Sequence, residues 1–136
     1  MKASLKQLVR QRAKGCCEYC LAQERFTPDP FSGEHIIPIV KDGTDDEDNL
    51  ALSCQRCNNA KYTFTHSIDP ATKLSVPLYN PRKDDWYTHF RWNETFTNII
   101  GNTPTGRATV KRLKLNRDSL VNFRGILAPL GLHPPF

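Results

Sequence analysis

Two Cys-x-x-Cys pairs, Cys17/Cys20 and Cys54/Cys57, flank the dipeptide Glu34-His35 and an acidic stretch running from Asp42 to Asn49. A C-x-x-C turn brings two sulfurs to one side of the chain, and two such turns complete the tetrahedral thiolate shell that holds a structural zinc. Two pairs about thirty residues apart fit that template better than the single pair of a thioredoxin-like redox site, with disulfides as the alternative. The fifth cysteine, Cys16, forms C-x3-C with Cys20 and competes with Cys17, although the shorter spacing favours Cys17. Outside the shell, Cys16 reads as a small buried side chain. An unperturbed imidazole, with a pKa of about 6.5, is largely neutral at working pH and can take a proton from water, which makes His35 a candidate general base. A histidine taken at random is usually a surface or core residue; the two flanking knuckles single this one out.

These groups need elements to position them. Leu5, Leu8 and Val9 fall at helical spacing, Lys6, Arg10, Arg12 and Lys14 lie on other faces, and Gly15 closes the pattern as a C-cap, so a basic amphipathic helix leads into the first knuckle. Residues 22–33, with Pro28, Pro30 and Gly33, read as a loop feeding a short strand at Ile36-Ile37, at whose start Glu34 and His35 would sit. Asp42-Gly43 and the acids after it form a turn and polar loop, and Leu50-Ala51-Leu52 is a second strand. Arg56 to Tyr62 is a helix springing from the second knuckle. In a strand Glu34 and His35 point to opposite faces, so a twist or bulge is needed for both to serve one site.

With Cys17-Glu18-Tyr19-Cys20, Glu34-His35-Ile36-Ile37-Pro38, Asp48-Asn49-Leu50 and Cys54-Gln55-Arg56-Cys57-Asn58-Asn59-Ala60-Lys61 in this order, residues 8 to 62 resemble the HNH endonuclease family. The resemblance implies an α+β fold whose small ββα-metal core is stapled by a four-cysteine zinc site. It implies phosphodiester hydrolysis with His35 as general base and Asn49 orienting the imidazole. Glu34 and Asn58 would bind a catalytic ion. Most members carry histidine where Asn58 stands; an amide oxygen beside a carboxylate suits Mg2+ or Mn2+, which makes this an His-Asn-Asn variant. Asn59 competes with Asn58 for the ligand role, about 100° away around the helix. Lys61, at i+3 from Asn58, is a candidate to touch the phosphate or leaving group, against the plain role of a solvated lysine at a helix end. The alternative for Asn49 is that it merely finishes the acidic turn. The tail from Asn80-Pro81-Arg82 through Thr103-Pro104-Thr105-Gly106-Arg107-Ala108 resembles an extension found in some bacterial members.

The chain divides by this reading into a core at 1–64 and an extension at 65–136 that packs on it. Pro70, Pro77 and Pro81 make 65–85 mostly loop. Trp86, Tyr87, Phe90 and Trp92 read as core more than as a base-stacking surface. Phe90–Asn93 and Thr97–Ile100 pair as a hairpin around Glu94. Thr105 caps a helix through about Leu115 carrying Arg107, Lys111, Arg112 and Lys114, and a last helix over Asp118–Leu127 buries Leu120, Phe123 and Leu127. His66, His89 and His133 lack ligand spacing; His89 is placed near enough in sequence to aromatics to dock by the site.

At 136 residues with 38% hydrophobic content the chain supports a modest core that zinc would reinforce. No apolar run approaches a membrane span, no signal peptide is recognisable, and metal-spaced cysteines suit a reducing compartment, so the expected location is cytoplasmic. The net charge of +5 and pI near 9.1, with bases concentrated at Lys2–Lys14 and Arg107–Arg124, favour a polyanion. The expected partner is double-stranded DNA, with monomer or homodimer undecided. Two other readings stand beside the nuclease: a non-catalytic zinc module that binds nucleic acid, and a zinc-stapled adaptor for proteins.

Overall fold

A β-hairpin running straight into a helix forms the centre of the molecule. The computed structural model describes residues 2–136; only Met1 of the expected core segment lies outside them. Strand β1 (Ser32–His35) pairs antiparallel with β2 (Leu50–Ser53), setting Glu34 opposite Ala51 and His35 opposite Leu50. Helix α2 (Gln55–Lys61) follows at once, with the Cys54 sulfur accepting from the Cys57 N–H at its first turn. Helix α1 (Ala3–Arg12) packs on β2, burying Val9. Arg12 donates to the backbone oxygens of Glu47 and Leu50 and so ties the helix to the end of the acidic loop.

The strand expected at Ile36-Ile37 lies one step earlier. Asn49 captures both backbone groups of Ile37, and this side-chain pairing ends the ladder at His35. The segment beyond, Pro38 to Gly43, turns tightly: the Gly43 N–H donates to the Pro38 oxygen at 2.9 Å. A Cβ on Gly43 would stand 1.7 Å from the Ile37 oxygen, so only glycine fits this crossing.

The second half contributes two more hairpins and three helices. β3 (His66–Ile68) pairs with β4 (Ser75–Pro77), within the stretch read from its prolines as loop. Pro70 sits in the turn and Pro77 at the strand end, positions where a missing N–H costs no ladder bond. A short helix α3 (Trp86–His89) leads into β5 (Phe90–Trp92), which pairs with β6 (Ile99–Gly101) as expected. Helix α4 (Pro104–Arg112) starts two residues earlier than expected: Thr103, not Thr105, caps it by accepting from the Gly106 N–H at 3.0 Å, with Pro104 at the favoured first position. Helix α5 (Asp118–Leu127) has the expected bounds and buries Leu120 and Leu127, with Phe123 half-buried. Trp86 and Phe90 are core as expected, whereas Tyr87 is exposed.

One apolar cluster unites both halves. Val9, Tyr19, Leu50 and Leu52 belong to it with Leu78, Tyr79, Trp86, Phe90, Ile99, Leu113 and Leu115. The fold is α+β with small antiparallel strand pairs throughout. Among the described residues no helix is long and apolar enough to cross a membrane.

Candidate active site

The four sulfurs of Cys17, Cys20, Cys54 and Cys57 lie within 4.8 Å of one another and all four side chains are buried. Cys20 and Cys54 stand 3.8 Å apart. A tetrahedral zinc with bonds of about 2.3 Å separates its sulfurs by about 3.8 Å, so the donors fit that ion in number, type and span. All five cysteines are free thiols, so the disulfide alternative is not realised. Cys16 stays outside the cluster, where its Sγ meets the Lys14 oxygen at 3.5 Å. Arg117, at the N-cap of α5, donates to Cys54 Sγ at 3.5 Å and Cys57 Sγ at 3.6 Å. Four thiolates around one Zn2+ leave a net charge of −2, and a guanidinium at hydrogen-bond distance offsets part of it.

Beside the zinc site the ββα unit forms an open groove of 280 Å³ lined by Gly33, Glu34, His35, Pro38, Ile39, Val40, Asn58, Tyr62 and Thr63. Glu34, His35 and Asn58 thus share one groove although the first two are sequence neighbours on a strand. The ladder ends at His35, and the chain's turn into Pro38 brings both residues to the same opening.

Glu34 lies mostly beneath the groove, 4% exposed, and reaches two partners in the interior. The Tyr19 hydroxyl donates to Oε1, and the Lys61 ammonium stands 3.8 Å from Oε2. Burial pushes the Glu34 carboxyl above its ordinary range, an effect the Lys61 charge and the Tyr19 hydrogen bond partly offset. Burial likewise pulls the Lys61 ammonium below its ordinary value, offset by Glu34. Lys61 is 1% exposed and donates to the Ile36 oxygen at 2.8 Å. To meet a phosphate it would have to leave both partners; it is not the solvated lysine of a helix end. Tyr19, between the first two cysteines, was not singled out from sequence. Nothing local distinguishes a tyrosine whose hydroxyl crosses the core from one that merely fills it.

His35 is half-buried at the groove and its Nε2 lies 2.7 Å from Asp45 Oδ1, a carboxylate that is itself exposed. The acidic loop was legible as a loop, but not which of its acids meets the imidazole. Asn49 is buried and holds the loop with three hydrogen bonds. Its Oδ1 accepts from the Ile37 N–H at 2.8 Å, and its Nδ2 donates to the oxygens of Ile37 at 3.0 Å and Thr44 at 2.8 Å. The Ile36 N–H donates to the Asn49 oxygen at 2.9 Å. Asn49 therefore braces the backbone on both sides of the turn that follows His35. Asn58 is half-buried in the groove, while Asn59 is exposed on the next helical position and does not line it. His66 and His89 lie outside the groove, and His89 hydrogen-bonds Thr103 instead, 2.6 Å from Nδ1 to Oγ1. His133 packs edge-on against Trp92.

A hairpin and helix bearing a carboxylate, an imidazole and an amide on one groove, stapled by four cysteines at the hairpin's flank, define a zinc-braced ββα-metal unit. Residues 17–64 match the family model described as HNH endonuclease. No curated protein and no solved structure gives a significant match to the chain.

Proposed function

We propose that the protein is a metal-dependent endonuclease that hydrolyses phosphodiester bonds in DNA with His35 as general base. The observation that carries this reading is the meeting of Glu34, His35 and Asn58 on one groove of the HNH unit. Glu34 and Asn58 present hard oxygen donors that would hold Mg2+ or Mn2+. When bound, such an ion neutralises charge on the phosphate and stabilises the leaving oxygen. His35 takes the proton from the attacking water. Asn49 fixes the turn after His35 and through it the position of the imidazole, whose orientation decides which nitrogen meets the water. Asp45 is exposed and anionic, so an incoming phosphate repels it and frees Nε2. Lys61 and Tyr19 hold the Glu34 carboxylate from the interior and act through it. The zinc has a closed shell and serves folding rather than chemistry. The basic charge favours nucleic acid, with DNA the proposed substrate, and metal-spaced cysteines suit a reducing compartment such as the cytoplasm.

A second reading, a non-catalytic zinc module binding nucleic acid, draws on the pairing of Glu34 with Lys61 and of His35 with Asp45, which satisfies both groups without an ion. Conversion of supercoiled plasmid to nicked and linear forms separates the two. The zinc-loaded protein cuts when Mg2+ or Mn2+ is added and not in its absence. No cutting of plasmid, single strand or RNA with either ion would leave the binding module.

A further inference from the structure

The groove has a polar floor and apolar walls. Ile39 and Val40, 55% and 77% exposed, and Tyr62, 71% exposed, all line its opening. Large apolar side chains this exposed around one opening are uncommon on a soluble surface without a partner. Tyr62 is also held in a costly backbone state, φ 50° and ψ −125°, immediately after α2. Its ring is braced from behind: Phe64 meets it edge-on at 6.4 Å, and the Arg112 guanidinium sits 4.1 Å over Phe64 while donating to Ser67 Oγ at 3.1 Å. Lys41, exposed, follows Val40 in the chain.

From this arrangement we infer that the groove takes an unpaired nucleotide, with the base stacked on Tyr62 against Ile39 and Val40 and the phosphate over His35 and Asn58. The inference rests on the groove being the substrate site of the proposed endonuclease and names the substrate class: nucleic acid with a bulged, gapped or single-stranded nucleotide at the point of cutting. In a continuous duplex both faces of every base are covered by neighbours, so a ring on the groove wall gains nothing. A base released from the stack offers a free face to an aromatic side chain, whatever its sequence. The exposed apolar and aromatic side chains at the opening suit the faces of such a base, and the basic residues Lys41 and Arg112 suit the flanking phosphates.

Binding without cutting tests this. Fluorescence anisotropy is measured with zinc-loaded protein and no added Mg2+ or Mn2+, on a labelled duplex and on the same duplex carrying one unpaired nucleotide. The wild type binds the unpaired form about tenfold more tightly, the order of one stacked base. Tyr62→Phe keeps the preference, and Tyr62→Ala, at an exposed position that leaves the core intact, reduces it to within about twofold. Equal binding of both forms by the wild type, or a preference that survives Tyr62→Ala, overturns the inference. The outcome is independent of catalysis: a preference without any cutting on addition of Mg2+ or Mn2+ would sink the nuclease and leave the binding groove.

Discussion

Glu34, Lys61 and Tyr19 form a buried polar triad, and each member has a distinct expected effect. Lys61→Met leaves the Glu34 carboxylate enclosed with its cationic partner gone and costs about 3 kcal/mol of stability, because an uncompensated buried charge is worse than no charge. Pairing it with Glu34→Gln recovers a large part of that loss in denaturant titrations; a double variant as unstable as the sum of the single ones would show the pair is not coupled. Tyr19→Phe removes one hydrogen bond and leaves packing unchanged. It is expected to keep zinc and fold while raising the Mg2+ concentration needed for half-maximal cutting severalfold, a readout that a purely structural tyrosine would not move. Asp45→Ala removes the anion facing His35 and is expected to preserve or improve cutting a few fold, mainly through tighter substrate capture. The cysteine cluster was legible in the sequence because its spacing carries the chemistry, whereas Glu34, Asn49 and Asn58 stand out only through the family resemblance, and His35 through that resemblance and the knuckles that flank it. Tyr19 and Asp45 were not, since their roles depend on where a side chain lands across the fold.

The elements themselves show why some boundaries were readable and others were not. Helix α5 announced itself through its apolar stripe, and the β5–β6 hairpin as two short segments that could pair around Glu94. The strand at β1 was placed too late because Ile36 and Ile37 look like strand, while the Asn49 side chain takes over the pairing that would have extended it. The β3–β4 hairpin was hidden by its prolines, and what secures it is not local. Arg107 of α4 donates to both carboxylate oxygens of Asp69, each at 2.9 Å, inside the hairpin turn. This pairing holds the Asp69 carboxyl well below the usual carboxylate range. A lowered pKa in the folded state means that the pair stabilises fully above the unfolded value of about 4 and loses its contribution as the pH falls below it. Asp69→Asn is therefore expected to unfold more readily than wild type at neutral pH, with the difference shrinking on acidification. A difference in denaturation midpoint that stays constant from pH 7 to pH 2 would show that the ion pair is not its cause.

At the scale of the whole molecule the four-cysteine site is the keystone. Its four cysteines belong to the same apolar cluster as Leu50, Trp86 and Phe90, and Arg117 brings the extension's last helix onto its sulfurs. Zinc binding by such shells is worth about 10–16 kcal/mol, as much as the whole stability of a typical domain. Stripping zinc with a strong chelator is expected to unfold the ββα unit and the extension together, seen as loss of circular dichroism in step with release of one zinc per chain. Mild chelation, by contrast, is expected to remove only the proposed exchangeable ion, with activity returning when Mg2+ is restored. The proposed function is that the groove cuts nucleic acid with His35 as its base. The most direct test compares wild type with His35→Ala, both zinc-loaded and folded, in conversion of supercoiled plasmid with Mg2+ or Mn2+. Cutting by the wild type that falls at least about 100-fold in the variant is the predicted result; equal cutting by both, or none by either, would contradict it.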